Sequence, residues 1–147
     1  IGKELPDATI GDLTLTPSSP KPDERVTARF SIFAEEADID SIYYTVYLDN
    51  NVIGGERVLG IEENGFETVT FTFTASEGDH VFKVILDELG EVPESDISNN
   101  EIEQSFTVEA EATSNLIIYV VVIIVAAVAG AVYYRYWQRD KSPRLSI

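Results

Sequence analysis

The chain has no cysteine and a single histidine in 147 residues. Without thiols there is no disulfide framework, no thiolate metal site and no cysteine nucleophile. One histidine leaves no histidine-rich metal motif, and neither a Gly-x-Ser-x-Gly elbow nor a phosphate-binding glycine loop occurs. No enzyme activity is therefore expected. There is no Asn-x-Ser/Thr sequon, so N-glycosylation is not expected either. Positive charge is also scarce: 10 Lys and Arg stand against 26 Asp and Glu, a net charge of −16. Before residue 115 the imbalance is 6 basic to 25 acidic, a net −19. A surface this acidic repels phosphates, which excludes a nucleic-acid partner.

Charge is missing altogether from Leu116 to Tyr134, which reads LIIYVVVIIVAAVAGAVYY. At about 1.5 Å per residue these residues make roughly 28 Å of helix, close to a bilayer core of about 30 Å. The β-branched residues would favour a strand in water, but in lipid the backbone can satisfy its hydrogen bonds only as a helix. Tyr133, Tyr134, Tyr136 and Trp137 form an aromatic belt, followed by Arg135, Arg139, Lys141 and Arg144. Basic residues beside a span mark the cytoplasmic side, so a single-pass protein with its N-terminus outside is expected. That orientation calls for a signal peptide, and Ile1 is read as a processed or trimmed start. Ala126 and Gly130, with Ala127 and Ala131, make overlapping small-xxx-small pairs. Such pairs allow close helix–helix association, although small residues also occur in spans that pack against nothing.

No stretch before residue 115 sustains a helical period. Instead, short alternating runs are separated by turn residues. Val26, Ala28, Phe30 and Ile32 alternate with polar neighbours, as do Ile42, Tyr44, Val46 and Leu48, and Val69, Phe71 and Phe73. Leu13 with Leu15, Phe82 to Leu86, and Ile102 to Val108 behave likewise, while PSSPKPDE (17–24) breaks the chain after the first run. Val52–Ile53 and Val58 to Ile61 are expected as two short strands, with Gly54-Gly55 as a bulge or bend between them. About seven strands without βα alternation predict an all-β immunoglobulin-like sandwich, followed by the single transmembrane α-helix. The expected organisation is a sandwich over 1–109, a linker at 110–115, a span at 116–134 and a basic tail at 135–147.

Several motifs occur in a telling order. Pro6-Asp7 precedes the first run, Ser19-Pro20 and Pro22 lead into Val26-Thr27, and Tyr47-Leu48-Asp49-Asn50 closes a middle run. Gly78 and His80 open a run ending in Asp87, and Glu94, Asp96, Asn99 and Asn100 form a Glu-x-Asp-x-x-Asn-Asn turn. Together these resemble the CARDB family, the cell-adhesion-related domain found in bacteria and archaea, over about residues 6–109. The chain departs from the family pattern at Asp23, where glycine is usual, and in Phe30 to Ile42, which lacks Asn-x-Gly. The resemblance implies an immunoglobulin-like fold and a binding or scaffolding role at the cell surface, with no catalytic residues.

Three candidate sites follow. His80 lies in phase with Phe82, Val84 and Leu86, so it is expected at the rim of the core in a structural role. DELGEVPESDISNN (87–100) holds five carboxylates, and two readings of it stand. As a corner, Gly90 takes a positive φ, Pro93 stiffens the path, and Asn99-Asn100 bond to backbone as the last strand begins. As a calcium site, Asp87, Glu91, Glu94, Asp96 and Asn99 (with Glu88) supply some of the six to eight oxygens the ion takes. The spacing nevertheless matches no Asp-x-Asp-x-Asp-Gly loop. Last, Tyr43 and Tyr47 lie on the polar parity of their run, with Phe33 expected near them on the preceding strand. Such aromatics suit a protein partner.

Two functions remain. One is a non-enzymatic surface module for adhesion or surface-layer association. The other is a single-span accessory subunit of a larger membrane complex. The linker EAEATSN (109–115) is too short to hold the domain more than about 25 Å from the bilayer, which favours the second. The expected partners are the lipid bilayer and other envelope or membrane proteins.

Overall fold

The computed structural model describes residues 3–111 and 115–141. The middle of the linker (112–114) and the tail beyond Lys141, including Arg144, lie outside the described residues. The chain divides into two compact units, residues 1–110 and 111–147.

In the first unit each alternating run becomes a strand. These are β1 (Asp7–Thr16), β2 (Arg25–Glu35), β3 (Ile39–Leu48), β4 (Asn51–Ile61), β5 (Phe66–Thr74), β6 (Gly78–Leu86) and β7 (Glu101–Val108). They form a three-stranded sheet ordered β1-β2-β5 and a four-stranded sheet ordered β4-β3-β6-β7, antiparallel throughout. The expected seven-strand sandwich is thus the observed fold. The chain crosses between sheets at β2–β3, β4–β5 and β5–β6, so strands adjacent in sequence often face each other across the core.

The inward residues are those that the period of two selects. Val26, Ala28, Phe30 and Ile32 of β2 are fully buried, as are Ile42 and Val46 of β3 and Phe82 and Val84 of β6. Aromatic rings join the two sheets. Phe30 meets Tyr44 edge-on at 5.4 Å, and Phe73 stacks on Phe82 at 5.0 Å while touching Phe106 at 5.8 Å. β1 begins earlier than Leu13 and Leu15 suggest. It bends at Asp12 (φ 56), where its register against β2 shifts, and this brings Ala8 and Ile10 inward as well.

The two short strands expected around Gly54-Gly55 are one continuous strand, β4. Its pairing with β3 slips between Val46 and Tyr47, leaving Ile53 as the extra residue of a bulge. Of the bulge or bend expected at Gly54-Gly55, a bulge is present one residue earlier, and the glycines themselves answer to packing. A Cβ on Gly54 would sit 2.6 Å from the Phe71 ring of the opposite sheet, and one on Gly55 would strike the Tyr44 carbonyl oxygen. The two residues joining β3 to β4, Asp49 and Asn50, both take positive φ (50° and 65°), the signature of a tight hairpin. Asp23, where the family resemblance calls for glycine, also has a positive φ of 59°. Aspartate tolerates that region better than most residues.

His80 is at the rim of the core, as its phase implies, with its side chain 10% exposed. Its Nδ1 lies 2.6 Å from Asp49 Oδ2 and its Nε2 lies 2.7 Å from the Ser76 carbonyl, so both ring nitrogens face acceptors. Asp49 Oδ1 also accepts from the Val81 amide at 2.9 Å, which locks the β3–β4 turn onto β6.

The second unit is one helix, α1 (Asn115–Asp140), long and apolar enough to cross a membrane. Lys141 Nζ stands 3.6 Å from the centre of the Trp137 ring.

Two predictions follow from the core and its rim. Phe82→Ala empties the contact with Phe73 and should cost about 3–5 kcal/mol in denaturant unfolding. The Asp49 hydrogen bond raises the His80 pKa above its usual value of 6.5, and the reciprocal bond lowers that of Asp49. The stability from His80 is complete below about pH 6.5 and is lost as pH rises through the higher folded-state value. Melting temperature should therefore fall across that window, and His80→Gln should flatten the fall.

Candidate functional site

The outward face of the four-stranded sheet is built from the alternate parity of β3, β4 and β6. Register places Tyr43 opposite Arg57, Thr45 between Gly55 and Ile85, and Tyr47 between Val52 and Lys83. The segment after β6 turns back over this face. Asp87 takes a positive φ of 44°, and its carboxylate accepts from the amides of Glu91 and Val92 at 2.8 Å each. Its carbonyl accepts from Gly90, whose φ is +66°, as expected for that residue. With the Asp87 amide bonded to the Tyr43 carbonyl, the whole turn is fixed to the sheet.

A cleft of about 270 Å³ opens between this turn and the sheet, lined by Tyr43, Thr45, Arg57, Asp87, Glu88, Leu89 and Glu91. Its rim is held by ion pairing and hydrogen bonds. The Tyr47 hydroxyl donates to the Glu88 carboxylate at 2.7 Å, which raises the tyrosine pKa. Arg57 pairs with Glu91 at 2.6 Å and lies 5.9 Å from the Tyr43 ring centre. Apolar area remains open here: Leu89 in the lining is 82% exposed, and Val52, opposite Tyr47, is 63% exposed.

The three aromatics expected to cluster do not share a face. Tyr43 and Tyr47 lie together on this sheet. Phe33 lies on β2 in the other sheet, where its ring meets Phe66 at 5.7 Å. The chain changes sheets after Glu35, which parity alone does not reveal. Conversely, nothing in the local sequence pattern marks Arg57 or Leu89 as a site residue. Arg57 reaches Tyr43 only through the β3–β4 register, which depends on the bulge at Ile53.

The remaining acidic residues of 87–100 also divide. Glu91 is paired to Arg57, and Asp96 accepts from the Ser98 amide at the surface; the Ser98 side chain and amide together lower its pKa. Glu94 and Asn99 instead face β1. Glu94 Oε2 accepts from the Ala8 amide at 2.9 Å, and its Oε1 accepts from Asn100 Nδ2 at 2.8 Å. Asn99 Nδ2 donates to both oxygens of Asp7, at 3.0 and 3.2 Å, and to Thr9 Oγ1 at 3.1 Å. The five residues expected around calcium thus occupy separate settings. No group of three or more His, Asp or Glu arranged to hold a metal occurs among the described residues. The asparagine side chains bond to side chains rather than to backbone; only the Asn100 carbonyl takes a backbone partner, the Leu86 amide at 2.8 Å. On α1, Ala126, Ala127, Gly130 and Ala131 are all exposed, and a Cβ on Gly130 would meet nothing within 4 Å.

Comparison with known proteins gives a consistent result. The CARDB family pattern matches residues 5–104. The crystal structure of the CARDB domain of the PF1109 protein from Pyrococcus furiosus, described as a complex with di-metal ions, is similar at a TM-score of 0.68 and 19% identity. It covers 76% of this chain and 100% of that one. A solution structure of the same domain gives 0.65 at 18% identity, covering 72% and 97%. A domain of a cell surface protein from Methanosarcina acetivorans, itself assigned only tentatively, gives 0.56 at 20% identity, covering 74% and 98%. A search of curated proteins finds no match. CARDB is a non-catalytic β-sandwich family associated with cell-surface proteins. With two thirds of its length matched by that pattern, this chain belongs to the CARDB family.

Proposed function

We propose that this chain is a non-enzymatic, single-pass membrane protein that presents its CARDB domain outside the cell and docks a partner protein of the envelope. The observation that carries this reading is the outward face around Tyr43. A cleft with exposed Leu89, and with Val52 opposite Tyr47, offers apolar area on a strongly acidic domain. Apolar and aromatic groups bordered by fixed charges are the usual make-up of a protein-binding patch. The basic residues after the span support a cytoplasmic C-terminus and a domain outside. Adhesion or surface-layer association is the function that fits this placement.

A second reading, an accessory subunit of a membrane complex, is favoured by the exposed small residues of α1 and by the short linker. The two readings place the binding surface on different units of the chain, so substitution separates them. The full chain is extracted from native membranes in mild detergent and its co-purifying proteins are identified. Under the surface-module reading, Tyr43→Ser with Leu89→Ser should reduce the principal partner about tenfold or more, since central interface anchors cost 2 kcal/mol or more. Ala126→Leu with Gly130→Leu should leave it unchanged. The reverse pattern would establish the accessory reading and overturn the first.

A further inference from the structure

Two sheets that do not close leave four edge strands: β1 and β5 on the three-stranded sheet, β4 and β7 on the four-stranded one. An edge presents unpaired backbone N–H and C=O groups, which folded proteins usually block with charge, bulges or covering segments. Three of these edges are blocked. β1 bends at Asp12 and is bonded at its start to the corner before β7, through the Ala8 amide and the Pro6 carbonyl. β4 is broken by the bulge at Ile53 and carries Glu56 and Arg57. β7 carries Glu101 and Glu103.

β5 has no such device along its middle. It pairs with β2 from Phe66 to Thr74 without a register shift. Its sequence, FETVTFTFT, contains no proline, glycine or lysine, and its one charge, Glu67, lies near its start. Beyond the ladder with β2, no backbone hydrogen bond reaches this strand among the described residues. Two side-chain features beside it are also left uncovered. Phe66 is 61% exposed. Arg25 and Arg29, which pair in register with Thr74 and Thr70, make no ion pair among the described residues.

We propose that β5 is a self-association edge. Two copies of this chain pair their β5 strands antiparallel about a two-fold axis at Thr70, joining two three-stranded sheets into one of six. The strand is nearly symmetric about that axis. Thr68 stands opposite Thr72 of the second copy, Val69 opposite Phe71, and Thr70 opposite its own counterpart. Thr–Thr and aromatic–β-branched pairs are among the cross-strand contacts that stabilise a sheet. Glu67 meets Phe73 rather than the other Glu67, so like charges do not oppose each other. Phe66 falls opposite Thr74, whose neighbour on β2 is Arg25, and this brings the exposed ring and the unpaired cation to one row of one face. A foreign strand could use the same backbone groups, but only a second copy makes use of the symmetry.

The domain's strong negative charge opposes association, and it is weakest here. β2 and β5 together carry Arg25, Arg29, Glu35 and Glu67, which balance. The two Arg29 residues would stand three strand spacings apart, about 14 Å, beyond the screening length of about 8 Å at physiological salt. Where α1 holds copies in one bilayer they meet at high effective concentration, so a modest interface suffices. The edge is distinct from the docking face around Tyr43, which lies on the outward surface of the opposite sheet.

The chain has no native cysteine, so introduced ones report the pairing directly. The full chain is reconstituted in lipid vesicles and mildly oxidised. Thr70→Cys should form a disulfide dimer, since directly opposite Cβ atoms lie about 5 Å apart. An equal mixture of differently tagged Thr68→Cys and Thr72→Cys chains should cross-link mainly as the mixed pair, because like positions are offset by about 13 Å along the strands. Ser105→Cys on β7 should cross-link far less than Thr70→Cys. Adding Thr70→Lys to the mixture places two positive charges at the axis. It should lower the mixed yield about threefold or more while circular dichroism shows the sandwich still folded. Ala126→Leu with Gly130→Leu should leave that yield unchanged. No disulfide at Thr70→Cys, or equal yields of mixed and self pairs, would overturn the proposal. So would a mixed yield that follows the helix substitutions and ignores Thr70→Lys.

Discussion

The connection from β6 to β7 is anchored to the first strand of the opposite sheet by side chains that lie close to 90 residues apart in sequence. Asn99 bonds Asp7 and Thr9, Glu94 receives the Ala8 amide, and the Ser95 amide donates to the Pro6 carbonyl. β1 is an edge strand, paired only with β2. Without these bonds its first residues would be held by one neighbour and could fray. A fourteen-residue connection without regular structure would likewise have little to order it. Each of the two weak parts is fixed by the other.

A similar device operates elsewhere at smaller scale. Asp49 closes the β3–β4 hairpin with its own positive φ and then grips His80 and the Val81 amide on β6. Asp87 caps the turn above the outward face through two backbone amides. In each case a carboxylate accepts hydrogen bonds that would otherwise need secondary structure. Much of what looked like acidic chemistry in the chain is therefore employed in holding turns. The surface left for recognition is the cleft around Tyr43 and the apolar side chains beside it, framed by an Arg57–Glu91 pair that orders its rim.

The sequence made the class of the fold legible because a period of two marks inward residues directly, as in Val26 to Ile32 or Ile42 to Val46. The apolar run after residue 115 was equally plain, since only a helix satisfies the backbone in lipid. Strand order was not legible, and the site suffered for it. Phe33 and Tyr43 are ten residues apart yet on different sheets, whereas Asp7 and Asn99 are neighbours despite their separation. The irregularity expected at Gly54-Gly55 is a bulge at the adjacent Ile53, but the continuity of β4 was not legible: those glycines admit the Phe71 ring and the Tyr44 carbonyl, contacts that cross the core or the sheet and leave no local trace. The Glu94 to Asn100 motif identified the family well, but its side-chain partners lie on β1 and could not be inferred from spacing.

Amide hydrogen exchange on the folded protein tests the coupling of the corner to the first strand most directly. The amides of Ala8, Glu91 and Val92 bond to carboxylates outside any β-ladder. If the corner and β1 are held as one unit, these three amides should exchange about as slowly as those of β2 and β6, with opening free energies near that of global unfolding. Exchange at rates typical of exposed loops, while the β2 and β6 amides stay protected, would contradict it.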